Sequence, residues 1–175
     1  MSAASRSLTF RAAATTAFVL GATFLATPAA GSSSGVPQCS TAQLRLLFVD
    51  TQAAAGRRYI DYAFKNAGAR QCSLRGYPTG VLLDKQGHVI HSADAKVGHF
   101  RVSPIRTVVL GSGKRAFFTF VWGDGGFCPG RAFTFYGLRV SPPNNATGFR
   151  RRLGRSPACD AISELSAVRP NRLPF

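Results

Sequence analysis

Residues 66–78, NAGARQCSLRGYP, separate two apolar runs and decide how the chain passes from one to the other. Asn66 and Gly68 are of the residue types that favour turns. Pro78 can start the next run because it has no backbone N–H to donate. Cys72 lies between them, where a disulfide would fasten the corner. The stretch therefore predicts the end of one β-strand, a stapled turn and the start of the next strand.

The run before this corner, RRYIDYAFKN at residues 57–66, has a period of two. Ile60, Tyr62 and Phe64 share one face, and Asp61 and Lys65 share the other. Successive side chains of a strand point to opposite faces of the sheet. We therefore predict a strand that is half-buried, with Asp61 on its solvent face.

The same pattern recurs along the chain. We expect the strand at 115–122, RAFFTFVW, to lie at the centre of a sheet with Ala116, Phe118, Phe120 and Trp122 in the core. Short strands, close turns and no amphipathic helix predict an all-β fold, an antiparallel immunoglobulin-like β-sandwich of about seven to eight strands. The other predicted strands are 44–48, 80–84, 88–91, 106–110 and 131–140, with turns at 51–56, 84–87 and 111–114 and a loop at 92–104.

The N-terminus is typical of a signal peptide. Arg6 and Arg11 precede or open the apolar run 12–26, and small residues follow at 28–30. We expect residues 1–30 to be cleaved, residues 31–38 to form a flexible leader and residues 39–175 to form the β-sandwich domain. An uncleaved membrane anchor is the alternative. Removing two arginines leaves 20 basic and 7 acidic residues, a charge of +13 on a secreted protein.

The four cysteines follow the predicted signal peptide, and an even number in an oxidising compartment indicates disulfides. Three pairings are open, of which we favour Cys39–Cys72 and Cys128–Cys159. Each bridge would close a loop of some thirty residues and stabilise the fold by about 2–4 kcal/mol. The chain has no C-x-x-C pair, and no histidine lies at zinc-ligand spacing from a cysteine, so a structural zinc site is not predicted.

Several motifs follow one another in a characteristic order: Cys39 before the first strand, Asn66 and Gly68 ahead of Cys72, Gly76-Tyr77-Pro78, the Asp84–Gly87 turn, Leu110-Gly111 with Gly113 before an aromatic strand, Trp122 near Cys128, and Arg139-Val140-Ser141-Pro142-Pro143. Together they resemble the actinobacterial secreted family catalogued as domain of unknown function 4232. The resemblance implies an immunoglobulin-like sandwich at the cell envelope or outside the cell. It implies no catalytic residues, and this chain lacks the lipid-anchor cysteine of some members.

The charge of the chain is strongly positive, with 22 basic residues against 7 acidic ones and a pI of about 11.2. Such a charge favours anionic polymers as partners. The densest cluster is FRRRLGR at residues 149–155, which we interpret as a loop. Its Arg150, Arg151, Arg152 and Arg155 are candidates for binding anionic cell-envelope polymers or lipid headgroups, because guanidinium groups bind phosphate in a bidentate manner. No nucleic-acid motif is present. A solvated loop without a ligand is the alternative.

Metal binding and catalysis are the two alternative functions. His88, His91 and His99 lie within twelve positions and could bind copper or zinc outside the cytoplasm. On a strand, however, His88 and His91 point to opposite faces, so solvent-facing histidines are the alternative and no metal site is predicted. No hydrolase, glycosidase or phosphate-cradle motif occurs. The sequence therefore predicts no enzyme and no cofactor, with a small secreted enzyme of unrecognised class as a further alternative.

Overall fold

The computed structural model describes residues 35–93, 105–124, 128 and 130–172, without the side chains of 161 and 162. The predicted signal peptide and most of the 92–104 loop lie outside these ranges. Within them the chain forms a short 3-10 turn, Thr41–Gln43, and nine strands. The predicted all-β antiparallel sandwich is confirmed, with more strands than predicted. The strands are β1 Leu44–Ala54, β2 Arg57–Asn66, β3 Cys72–Arg75, β4 Thr79–Leu83, β5 Val89–Ala93, β6 Thr107–Leu110, β7 Arg115–Gly123, β8 Ala132–Ser141 and β9 Phe149–Leu165.

Seven strands form one sheet in the order β1-β2-β7-β9-β8-β4-β5, and β3 pairs with β6 in a second sheet. Strand β9 joins the two parts of the large sheet. It pairs with β8 from Phe149 to Cys159 and with β7 near its C-terminal end. Phe149 of β9 contacts Phe64 of β2, and Phe135 of β8 contacts Trp122 of β7, with ring centroids 6.1 and 5.4 Å apart. The two parts therefore enclose one core.

Strand β7 supplies the centre of this core. Ala116, Phe118, Phe120 and Trp122 are all buried, as predicted. Phe118 stacks on Phe64 with ring centroids 4.7 Å apart. Each fully buried side chain of this size contributes about 1.5–3 kcal/mol through burial. The strand lies inside the sheet, between β2 and β9.

Asn66 organises the corner between β2 and β3. Its buried side-chain amide donates to the carbonyls of Arg70 and Leu110, at 2.8 and 2.9 Å, and its Oδ1 accepts from the N–H of Gly68 at 2.9 Å. The predicted turn after Asn66 is therefore present. Cys72, however, lies within a strand that pairs with β6, not in the turn. It is bonded to Cys39, and Cys128 is bonded to Cys159, which is the sequential pairing.

The predicted turn at residues 51–56 is wrong. Strand β1 continues to Ala54, and the turn consists of Ala55 and Gly56 alone, both with positive φ. Thr51 pairs with Ile60 across the hairpin, and the residues after it continue the ladder. Backbone pairing with β2 thus outweighs the low strand propensity of the alanines.

The predicted solvent exposure of Asp61 is also wrong, because only 2% of this residue is exposed. Residues 166–172 continue beyond β9 and cover the face on which Asp61 lies. Arg169 forms a two-way backbone bridge with Phe117, at 2.8 and 2.9 Å. Its Nη2 lies 3.7 Å from Asp61 Oδ1, and Arg172 Nε donates to Asp61 Oδ2 at 2.9 Å.

We call Asp50, Asp61, Thr119, Arg169 and Arg172 the Asp61 network. Thr119 Oγ1 donates to Asp61 at 2.5 Å and accepts from Arg169 at 2.6 Å, while Arg172 also bonds to Asp50. Burial lowers the pKa of Arg169, and the negative charge of Asp61 opposes this effect. Arginine keeps its proton in proteins, and the carboxylate that faces Arg169 offsets part of the cost of burying its charge.

Candidate anion-binding site

The basic run at residues 150–152 is part of a strand, and the predicted loop is wrong. In the ladder with β8, Arg150 lies opposite Arg139, Arg151 opposite Leu138 and Arg152 opposite Gly137. Residues that are opposite each other in an antiparallel pair share a face, and neighbours along the strand do not. Arg150 and Arg152 therefore point to the outer face, whereas Arg151 lies on the face of the buried Leu138.

Arg151 is exposed, but its guanidinium reaches back to the neighbouring strand β1. Its Nη2 donates to the backbone carbonyl of Leu46. It also lies near Tyr62, where burial raises the pKa of the phenol to about 12 and the positive charge of Arg151 opposes the rise. This guanidinium thus connects β9 to β1.

Arg150 and Arg152, with part of Arg151, line a groove of about 640 Å³ between β9 and the β4–β5 turn. We call it the basic groove and define it by Lys85, Gly87, Tyr136, Arg150 and Arg152. Gly87 has a φ of +92°, and a Cβ at this position would lie 3.1 Å from Arg150 Nη1. Glycine thus allows both the turn and the close approach of the guanidinium, and brings Lys85 to the same groove.

The charges of this groove are uncompensated. Within the described part of the chain, no carboxylate forms an ion pair with Lys85, Arg150 or Arg152. Arg139 and Arg150 lie directly opposite each other on β8 and β9. Like charges in this position destabilise a sheet unless an anion lies between them. The arrangement is suited to an anionic ligand.

Asp84, at the rim of the groove, is already engaged by His88. Its Oδ1 accepts from the backbone N–H of His88 at 2.8 Å, and its Oδ2 lies 3.1 Å from the ring Nδ1. Burial acts to raise the pKa of Asp84, but these hydrogen bonds outweigh it and hold the pKa below its ordinary value. The carboxylate of Asp84 therefore stabilises the β4–β5 turn and forms no ion pair with Lys85, Arg150 or Arg152 in the described chain.

Arg155 does not join the basic groove. Gly154 has a φ of +70°, and Gly137 pairs with Arg152 while Phe135 pairs with Ser156. One residue of β8 thus faces three of β9, and this bulge redirects the strand. Arg155 lines a separate cleft with Arg58 and Trp122. The structure therefore brings together three of the four predicted arginines, Arg150, Arg151 and Arg152.

Sequence reasoning missed Lys85, Tyr136 and Arg139 as members of the basic surface. The Asp84–Gly87 turn was predicted, but no sequence signal tied it to residues 150–152. Arg139 lies in a predicted strand, but the interpretation of residues 149–155 as a loop hid its pairing with Arg150. Its register opposite Arg150 depends on the tertiary fold.

The histidines are placed apart. His88 lies at the β4–β5 turn beside Asp84, and the His91 ring contacts the Phe133 ring at 5.1 Å. His99 lies outside the described residues. The group of three potential ligands within the described ranges is Cys128, Cys159 and Asp160. Its two sulfur atoms form a disulfide and offer no thiolate. Metal binding by the histidines stays an alternative that these observations do not test.

The fold and its two disulfides define a disulfide-stabilised antiparallel β-module. A family model, described as domain of unknown function (DUF4232), matches residues 39–165, and the chain belongs to this family. The sequence-based identification is thereby confirmed. No curated protein matches the chain. Among the described residues, no helix is long and apolar enough to cross a membrane.

Proposed function

We propose that this protein is a secreted, non-catalytic binding module that holds phosphate groups of anionic cell-envelope polymers or lipids in its basic groove. The observation that supports this function best is the direct opposition of Arg139 and Arg150, neither of which forms an ion pair with a carboxylate of the described residues. A bound phosphate would accept hydrogen bonds from both guanidinium groups and offset their repulsion. Arg152 and Lys85 extend the same positive surface.

The strand geometry suits a polymer with repeated charges. Arg150 and Arg152 lie two positions apart on β9. This corresponds to about 7 Å along a strand, and both side chains point to the same side. Two such forks can contact successive phosphate groups of one chain or neighbouring headgroups of one lipid surface. Arginine binds these oxygens in a bidentate manner through its cationic guanidinium group. Glutamine lacks this group and is therefore a suitable neutral replacement.

The chain's chemistry supports a role outside the cytoplasm. Two disulfides persist in oxidising compartments, and the N-terminal pattern is that of an exported protein. Without residues 1–30 the chain has 20 basic and 7 acidic residues, and its net charge of +13 attracts the protein to anionic surfaces before any specific contact forms. The groove then supplies the contact.

The proposal is tested by co-sedimentation of the purified protein with isolated anionic cell envelopes and with phosphatidylglycerol vesicles, and by binding to soluble polyphosphate. The variant R150Q/R152Q is compared with R70Q/R75Q, which removes the same charge from exposed arginines at and before β3. Each basic residue at an anionic surface contributes about 1 kcal/mol. We expect the groove variant to bind about thirtyfold more weakly and the control less than about threefold.

The three ligands distinguish the source of the phosphate. Binding to vesicles alone would indicate headgroups, and binding to polyphosphate as well would indicate the polymer. Both must weaken as ionic strength rises, because exposed charges are screened. The absence of binding at every ionic strength, or equal losses in the two variants, would contradict the proposed function.

A further inference from the structure

A second cleft, of about 320 Å³, lies between β2, β7 and the bulge of β9. We call it the Trp122 cleft and define it by Thr51, Arg58, Trp122, Arg155 and Ser156. Arg58 and Trp122 are direct partners in the β2–β7 ladder and so share a face. No side chain that lines the cleft is acidic. The cleft thus combines two cationic groups, two hydroxyl groups and an indole ring.

Trp122 is fixed in place but has an unused donor. Its ring stacks on Phe120 with centroids 5.1 Å apart and meets Phe135 edge-on. The residue is 4% exposed, and its indole N–H has no acceptor among the described residues. A buried donor without a partner is costly, since its hydration is lost and nothing replaces it. A ligand oxygen would provide the missing acceptor.

The two arginines are available to a ligand. Arg155 forms no ion pair with any residue in the described ranges. Arg58 lies 3.7 Å from Asp124, and 52% of its side chain is exposed, so this surface pair holds the guanidinium only weakly. Arg58 comes from β2 and Arg155 from β9, which places a cationic group on each wall.

We propose that the Trp122 cleft binds a small organic carboxylate. The guanidinium groups match the oxygens of a carboxylate, and Trp122, Ile60 and Leu153 offer an apolar wall to its organic part. This site is separate from the basic groove: Arg150 and Arg152 point to the outer face of β9. Failure of either site therefore leaves the other proposal standing.

Trp122 is the single tryptophan of the chain and reports directly on the cleft. The purified protein is titrated with sodium benzoate while Trp122 fluorescence is recorded. Benzamide, which has the same shape without the charge, serves as the ligand control. We expect a saturable change with benzoate and none with benzamide. R155Q should weaken benzoate binding about tenfold or more, because a charge-assisted hydrogen bond is lost, and R150Q should leave it unchanged.

Calorimetry on Trp122→Phe tests the indole N–H, since this variant keeps an aromatic ring but lacks both the donor and the fluorophore. We expect its affinity for benzoate to fall about threefold or more. No saturable response to benzoate in wild type, equal responses to benzoate and benzamide, or equal affinities of R155Q and R150Q would overturn the proposal. A change in Trp122 fluorescence that saturates at a lower concentration of inorganic phosphate than of benzoate would overturn the carboxylate class.

Discussion

Two groups of arginines in this molecule differ in what surrounds them. In the Asp61 network, Arg169 and Arg172 face Asp61, and Arg172 also bonds to Asp50. At the basic groove, Arg150 of β9 lies directly opposite Arg139 of β8. The arginines of the first group lie in the segment that covers Asp61 and face carboxylates. Arg150 is exposed and faces a like charge.

This difference indicates how function is distributed in a strongly basic protein. The chain has only 7 acidic residues for 22 basic ones. An arginine that faces a carboxylate, as at Asp61, stabilises the fold. An arginine without such a partner can bind an anionic ligand. The two groups of arginines differ in whether a carboxylate faces them, and the density of charge in the surrounding sequence does not reveal this difference.

The largest effect is expected when the neutralised group loses its carboxylate. Asp61→Ala removes the acceptor of Thr119 and Arg172 and leaves the mostly buried Arg169 without a counter-charge. Breaking a buried ion pair from one side costs about 3–5 kcal/mol. Urea denaturation followed by circular dichroism should show this loss in the free energy of unfolding.

The matched control is Asp124→Ala, which breaks a pair with Arg58 at 3.7 Å near the surface. Its loss should stay below about 1 kcal/mol. Equal losses in the two variants would mean that the Asp61 network is no more structural than a surface pair.

The second effect concerns Tyr62, a buried residue near Arg151. The pKa of Tyr62 is raised from 10.0 to about 12, mainly by burial. Above pH 10 the unfolded chain loses this proton while the folded chain keeps it. Stability should therefore fall between pH 10 and about pH 12, by about 2–3 kcal/mol.

Denaturation at several pH values checks this prediction against Tyr62→Phe, which has no phenol to ionise. The variant should lose less stability over the same pH range than wild type. Parallel pH profiles for the two proteins would show that Tyr62 does not contribute to the alkaline sensitivity.

A smaller effect is expected at the exposed end of the Asp61 network. The hydrogen bond from Arg172 is the main cause that holds the pKa of Asp50 below its ordinary 3.8. The lowered pKa stabilises the fold above pH 3.8, and this contribution is lost as the pH falls through the folded-state value. Arg172→Gln should therefore flatten part of the acid profile in thermal melts. Asp50→Asn should flatten it similarly, and an unchanged profile in both variants would contradict the assignment.

The smallest effect on stability is expected in the basic groove. R150Q/R152Q removes two arginines that have no carboxylate partner in the described chain, and relieves the repulsion with Arg139. The free energy of unfolding should change by no more than about 0.5 kcal/mol, or rise slightly. A loss above about 2 kcal/mol in urea denaturation would show that these arginines stabilise the fold as those of the Asp61 network do. It would contradict the difference between the two groups.

Much of the fold could be predicted because its signal is local. Alternation at residues 115–122 correctly placed Phe118, Phe120 and Trp122 in the core. The turn residues after Asn66 also ended β2 where predicted. These features depend on side-chain periodicity and backbone preference, which a short stretch of sequence carries in full.

The candidate site was predicted less completely. Residues 150–152 looked like a loop because consecutive arginines hide the alternation of a strand. Pairing with Arg139 and its neighbours on β8 makes them a strand and places Arg151 on the face of Leu138, where it bonds to Leu46. The bulge at Gly154 then separates Arg155 from the others. None of these partners lies close in sequence to the residue that it orients.

The sequence by itself determined the class of fold, the corner at Asn66 and the concentration of positive charge, because period, turn chemistry and composition are properties of the chain. Tertiary structure decided which arginines are neutralised and which are open. It brought residues 166–172 over Asp61 and the Gly87 turn beside Arg150. The physical reason is that the role of a charge depends on its neighbours in space, and in this protein those neighbours come from distant strands.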